Sequence, residues 1–273
     1  MAIRLTENRY GKSHVRLMKV ERDGARHRVT DLTVDILLYG DFAAAYTEGD
    51  NSQVVPTDTM KNTVYVLARR QPIGAPEEFG LRLADHFLTR HAHVSRARIV
   101  ISANPWQRLG EHAFERAAGR RTALIDRTRD HTSVEAGIAD LIVLKTARSA
   151  FAGYLRDEYT TLKETRDRLF GTAVKADWTY HGTAHNFDQL WQAVRQTLLD
   201  VFAAHDSQGV QHTLHAMGEA VLQQFDAIEE IRLSMPNQHY LLADLSPFGL
   251  DNPNEVFVPT SEPFGLIEAT LRR

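Results

Sequence analysis

Between residues 32 and 38 the chain alternates: Leu32, Val34, Ile36 and Leu38 fall on one side, with Thr33, Asp35 and Leu37 on the other. A period of two predicts a half-buried strand. Val15 to Val20 reads as a strand as well, with Gly24 supplying the turn between the two. The period then lengthens. Met60, Val64 and Leu67 recur at helical spacing behind Pro56-Thr57-Asp58-Thr59. Pro suits the first helical position, and Thr and Asp suit a helix mouth whose amides lack partners. A second helix is expected from Pro76-Glu77-Glu78, with Phe79, Leu83 and Phe87 on one face. A strand through Ile99-Val100-Ile101 and a last one between Ala123 and Ile138 complete this half. The polar, Arg-rich stretch from Gly110 to Arg129 reads as a solvated loop or hairpin.

The same order recurs downstream. Leu141 to Lys145 and Lys175 to Tyr180 read as strands, with a short polar helix expected from Arg156 to Arg168 between them. A long helix carries Phe187, Leu190, Trp191, Val194, Leu198, Val201 and Phe202 on one stripe, and another carries Leu214, Met217, Val221 and Phe225. Strands through Ile231-Leu233-Met235 and from Leu266 to Leu271 close the half. The expected class is therefore α+β. It comprises two tandem ββααββ repeats, residues 1–137 and 138–273, each a four-stranded antiparallel sheet with two helices on one face. The halves share little residue identity, and no low-complexity linker separates them.

Composition narrows the picture only in places. The chain has 273 residues, 43 % apolar and 25 % charged, with a net charge of −3, so nothing marks it for nucleic acid or for disorder. It has no cysteine, which excludes disulfides, thiolate metal sites and Cys nucleophiles. No apolar run approaches the roughly 20 residues of a membrane helix. The N-terminus lacks a signal-peptide core, and the last residues, Leu271-Arg272-Arg273, are not a peroxisomal Ser-Lys-Leu. A cytoplasmic location is the expectation.

Thirteen histidines invite a metal, but His181/His185 and His212/His215 sit in no known ligand pattern. Phosphate loop, dinucleotide fingerprint and nucleophile elbow are all missing. What remains is scattered. Lys12 in Tyr10-Gly11-Lys12 is ordinary as a surface lysine, and Arg168 after Asp167 as half of a surface ion pair. Gln211 is ordinary as a first-turn residue, and Asn237 and His239 after Met235-Pro236 as turn chemistry.

Together these segments resemble the urate oxidase (uricase) family over essentially the whole chain. The likeness rests on Tyr10-Gly11-Lys12, Val54 to Tyr65, Phe151 to Arg168 and Pro236-Asn237-Gln238-His239-Tyr240. Within the third segment, the run from Leu155 to Thr165 (LRDEYTTLKET) is family-specific. Val210-Gln211, Asn254-Glu255-Val256-Phe257 and Gly265-Leu266-Ile267 add to it. The resemblance implies the tunnelling fold (T-fold), whose ββααββ repeats build a barrel. It implies a homotetramer with active sites at subunit interfaces. It also implies oxidation of urate by O2 and water to 5-hydroxyisourate and hydrogen peroxide, without metal or organic cofactor.

Site roles follow from the resemblance. Arg168 is the bidentate clamp on a flat purine anion, and Gln211 donates and accepts at an adjoining edge. Phe151 stacks on the ring, Leu162 lines the pocket, and the Val210 amide adds a donor. Lys12 and Thr57 form the catalytic dyad, linked to His239, with Lys12 as base and Thr57 as proton relay. Asp58 contacts substrate through its backbone amide, and Asn237 holds O2 or water above the ring. Two departures stand out: Gly209 where Ser occurs, and Arg166 where Trp occurs. Alternatives are a pterin-processing enzyme of the same fold, which needs a metal or a different acid–base set, and a purine-binding protein without catalysis.

Overall fold

Apolar residues at every second position require a sheet, and those at every 3.6 require helices to cover it. The computed structural model, which describes residues 3–22 and 24–273, contains both in two compact units. The first holds the chain up to Gly137 together with Trp178–Trp191; the second holds Ile138–Asp177 and Gln192–Arg273.

In the first unit β1 (Tyr10–Glu21) and β2 (Arg28–Gly40) precede a short α1 (Ala43–Thr47) and two longer helices, α2 (Thr57–Arg70) and α3 (Pro76–Arg90). Then come β3 (Val94–Ala103), a hairpin of β4 (Trp106–Arg108) and β5 (Phe114–Arg116), β6 (Arg120–Thr128) and the start of β7 (Thr132–Lys145). The antiparallel order is β1-β2-β3-β6. Val34, Ile36, Leu38, Ile99, Ile101 and Ile125 from the sheet, and Met60, Val64, Phe79, Leu83 and Phe87 from α2 and α3, are fully buried. Each such side chain contributes about 1.5–3 kcal/mol of transfer free energy.

The second unit repeats the plan with most of β8 (Phe170–Tyr180) and of α4 (Phe187–Ala204), then α5 (Val210–Gln224), β9 (Ile228–Ser234), β10 (Asn237–Leu242), β11 (Phe257–Gly265) and β12 (Glu268–Arg272). Here β9 and β10 both pair with β8, while β12 pairs with β9 and β11 with β10. The last two strands of the plan are therefore each broken in two, at Met235-Pro236 and at Leu266-Ile267. Phe170, Val174, Val194, Leu198, Val221 and Ile231 form its buried centre. No helix among the described residues is long and apolar enough to cross a membrane.

Several expectations are corrected. Pro56 is not the first helical residue but the one before it, extended at φ −56° and ψ 137°, with its carbonyl accepting the Met60 N–H at 3.1 Å. Residues 156–168 form no helix. Asp157 instead accepts from the Tyr159 N–H at 3.0 Å and the Thr160 hydroxyl at 2.8 Å, a side-chain competition that diverts the backbone into a turn. The stretch 110–129 is only partly a hairpin, because β6 is an interior sheet strand. Its charges are paired in place: Arg121 with buried Glu77 at 2.7 Å, and Asp126 with Arg96. Ala123 and Ile125 supply the buried face. The strand expected between Ala123 and Ile138 is two strands, β6 and β7, and β10 and β11 were not foreseen.

Candidate active site

The predicted site residues fall into two sets, one in each unit. Lys12, Thr57 and Asp58 belong to the first; Phe151, Leu162, Arg168, Val210, Gln211, Asn237 and His239 belong to the second.

In the first set a one-residue bulge aims Lys12. Lys12 pairs with Ile36 and Val15 with Val34, so three steps on β1 face two on β2, with His14 at φ 57° in the bulge. Tyr10 and Lys12 thereby share a face with Val15, Leu17 and Lys19, the face that α2 covers. Gly11 is required between them: a Cβ there would lie 1.7 Å from the Ile36 carbonyl oxygen. Lys19 donates to the carbonyls of Ala68 and Gln71 at 2.8 and 2.9 Å, closing the C-terminal end of α2. The Lys12 side chain makes no hydrogen bond or ion pair among the described residues, and the residue is half-buried.

At the other end of α2 no side chain caps the helix. The amides of its first turn point outward from the positive end of the dipole. Asp58 uses its carboxylate within the helix, paired with Lys61 and accepting from Asn62 at 2.9 Å. Those hydrogen bonds, with a smaller contribution from the charge of Lys12, hold its carboxyl below the usual carboxylate range. What Asp58 has left for a ligand is its backbone N–H. The Thr57 hydroxyl is without a partner among the described residues.

In the second set the loops are stapled through Ser149 and Ser207, both buried. Ala150 N–H donates to the Ser207 carbonyl at 2.7 Å, Arg168 N–H to the Ser149 carbonyl at 2.9 Å, and the Ser207 hydroxyl to the Gly209 carbonyl at 3.0 Å. Phe151 and Thr165 exchange backbone hydrogen bonds of 2.8 and 3.0 Å. The staple brings the mouth of α5, Phe151 and Arg168 into one place. The Arg168 guanidinium lies 5.2 Å from the Phe151 ring centre. Its Nε is shut away from solvent with no partner, and no carboxylate pairs with it among the described residues. Burial pulls its pKa below the ordinary guanidinium value.

A Cβ at Gly209 would lie 3.5 Å from Gln211 Oε1 and 3.7 Å from Phe151 Cδ2, ordinary contacts. Gln211 and Phe151 therefore converge, and Ser in place of Gly209 would fit. Val210 opens α5 uncapped by any side chain, which leaves its amide available. Asn237 is buried and pairs with Thr172, and Gln238 pairs with Gly171. This register runs β10, and His239 on it, back toward the Arg168 end of β8. Leu162 is 55 % exposed, and its carbonyl accepts from the Tyr154 hydroxyl at 2.6 Å and from Arg156 at 3.1 Å. Arg166 is exposed. Among the described residues no group of three or more His, Asp or Glu side chains is placed to hold a metal ion.

Sequence reading missed Tyr154, whose ring stacks on Phe151 at 4.9 Å and 16°. It also gave no role to Tyr10, whose motif was visible but whose partner, Val55, lies 45 residues away. Ser149 and Ser207 carried no sequence signal.

The family model described as Uricase matches residues 8–132 and 134–268. Uricase of Arthrobacter globiformis is 46 % identical over 272 residues, 98 % of this chain and 90 % of that protein. Uricase of Dictyostelium discoideum is 38 % identical over 279 residues, covering 98 % and 97 %. The crystal structure of the Arthrobacter globiformis uricase matches with a TM-score of 0.97 at 46 % identity, covering 100 % of this chain and 96 % of that one. A uricase structure from Bacillus fastidious, at 24 % identity and a TM-score of 0.83 over 99 % and 94 % of the two chains, shares the fold.

Proposed function

The chain belongs to the uricase family and is a urate oxidase, and from that premise we propose that it uses O2 without metal or organic cofactor, at sites completed by two subunits of a homotetramer. One observation carries the reading: a half-buried guanidinium with no anionic partner among the described residues, beside an aromatic ring and an uncapped helix mouth. Such a guanidinium fits a planar anion with paired acceptors. Gln211 reads the adjoining edge, the Val210 amide adds a donor, Phe151 stacks on the ring, and Leu162 closes the pocket wall.

Lys12 takes a proton from bound urate through the Thr57 hydroxyl, and His239 shares in this proton transfer. The resulting urate dianion is electron-rich enough to pass an electron directly to O2, which avoids the spin barrier to a concerted reaction. Asn237 holds O2, and then water, against the ring. The superoxide and urate radical so formed combine into a bound peroxide, which leaves as hydrogen peroxide with one proton returned from Lys12 and one from the water whose hydroxyl becomes that of 5-hydroxyisourate. The protein's part is proton removal, positioning and charge stabilisation. Asp58 meets the substrate through its amide.

Lys12 and Thr57 lie in one unit and the Arg168 clamp in the other, and we read 1–137 and 138–273 as the two repeats that carry them. Uncovered sheet edges at β1 and β12 favour a second copy. So does the apolar surface of the β10–β11 hairpin, where Leu241, Val258 and Phe264 are about half exposed.

The test is loss of urate's ultraviolet absorbance with exhaustively chelated protein, in air and under argon. Turnover is expected in air alone. Loss of activity on chelation, restored by a metal, would overturn the cofactor-free reading; urate loss under argon would overturn the role of O2.

A further inference from the structure

We infer that Tyr10 is a positioning residue for this reaction, setting the distance between Lys12 and Thr57. This inference rests on the dyad proposed above. The Tyr10 hydroxyl accepts the Val55 N–H at 2.7 Å and donates to the Val55 carbonyl at 3.1 Å. A single phenol oxygen thus holds the N–H and the carbonyl of one buried residue, Val55, two residues before Thr57, while Tyr10 itself lies two before Lys12 on the same strand face. Its ring is fixed in turn, edge-on to buried Phe42 at 4.7 Å and 88°, and Phe42 sits edge-on to His93 at 5.6 Å. At the far end, Lys19 grips the last carbonyls of α2.

The spans agree. Tyr10 to Lys19 is about eight strand steps once the bulge is removed, about 26 Å at roughly 3.3 Å each. Thr57 to Arg70 is about 20 Å at roughly 1.5 Å per residue, and the three extended steps that join Val55 and Gln71 to it add up to about 10 Å. Strand and helix therefore run side by side, pinned at both ends. The Lys19 pin fixes the helix axis, and the Tyr10 pin fixes the start of the helix against Lys12. Burial raises the phenol's pKa, which keeps its donor proton in place across the working pH range.

A proton relay depends on sub-ångström placement, and a displacement of about 1 Å costs on the order of 10²-fold. Tyr10→Phe keeps the ring against Phe42 and removes both hydrogen bonds. The expected result is a fall in kcat of roughly 10- to 100-fold with KM for urate within about twofold, and a displaced pH–rate profile. The decisive measurement is the same substitution in a Lys12→Met background. If Tyr10 acts through Lys12, it causes no further loss there. An equal loss in both backgrounds, or a rise in KM with kcat unchanged, would overturn the inference. Near-normal turnover of Lys12→Met alone would instead overturn the dyad, so the two failures are separable.

Discussion

Arg168→Ala should uncouple activity from stability. In the proposed clamp the guanidinium fork would make two charge-assisted hydrogen bonds to the anion, each contributing about 1.5–3 kcal/mol. Their loss would amount to about 3–6 kcal/mol, or roughly two to four orders of magnitude in kcat/KM at 1.4 kcal/mol per tenfold. The free protein loses little, because among the described residues no carboxylate pairs with Arg168 and its Nε has no partner. The sign of the pKa shift agrees. A cation whose folded pKa is depressed by burial costs stability at every pH below that pKa, neutral pH included. Removing it relieves that cost. Only the contact with the Phe151 ring opposes the gain, at about 0.5–1 kcal/mol for a partly exposed site. The melting temperature should therefore stay within a few degrees of the parent or rise. The assays are thermal unfolding by circular dichroism and urate consumption over a range of substrate concentrations. A kcat/KM within about threefold of the parent would refute the clamp. A large fall in melting temperature would refute the claim that Arg168 is held without a structural partner.

Two other predictions concern the first unit and the assembly. Gly11→Ala places a Cβ 1.7 Å from the Ile36 carbonyl, so one strand must move. A loss of several kcal/mol, read as insoluble protein or a melting point lowered by tens of degrees, is expected, and a folded variant of parental stability would contradict the close approach. Lys12→Met and Arg168→Ala should each be inactive alone, yet regain a measurable fraction of parental activity when co-expressed, because mixed oligomers rebuild some sites with both intact halves. Activity no higher than that of the separate variants would contradict sites shared between subunits.

The repeat plan was legible because periodicity is local. Leu32 to Leu38, the Phe79–Leu83–Phe87 face and the Phe187 to Phe202 stripe each declare an element within a few turns of chain. Errors arose where polar residues were paired at a distance. Arg121 and Asp126 made β6 look solvated, although Glu77 and Arg96 satisfy them. The polar run before Arg168 has a helix-like pattern, but the Asp157 side chain competes for the backbone and turns it, a choice that pattern alone does not rank. Site residues were legible only as family motifs, since Lys12 or Gln211 alone is indistinguishable from any surface residue.

The sequence by itself determined the class of elements, their order, the exclusion of cysteine chemistry and the family to which the motifs point. Tertiary structure decided which groups are free to act. The bulge before Val15 turns Lys12 onto the α2 face, and Gly11 lets β2 approach. The pairing of Asp58 with Lys61 leaves its amide for a ligand, and the Ser149–Ser207 staple gathers Phe151, Arg168 and the mouth of α5. The reason is physical. Periodicity follows from the geometry of a few consecutive residues, whereas an unpartnered amine or guanidinium is defined by what every distant segment fails to offer it.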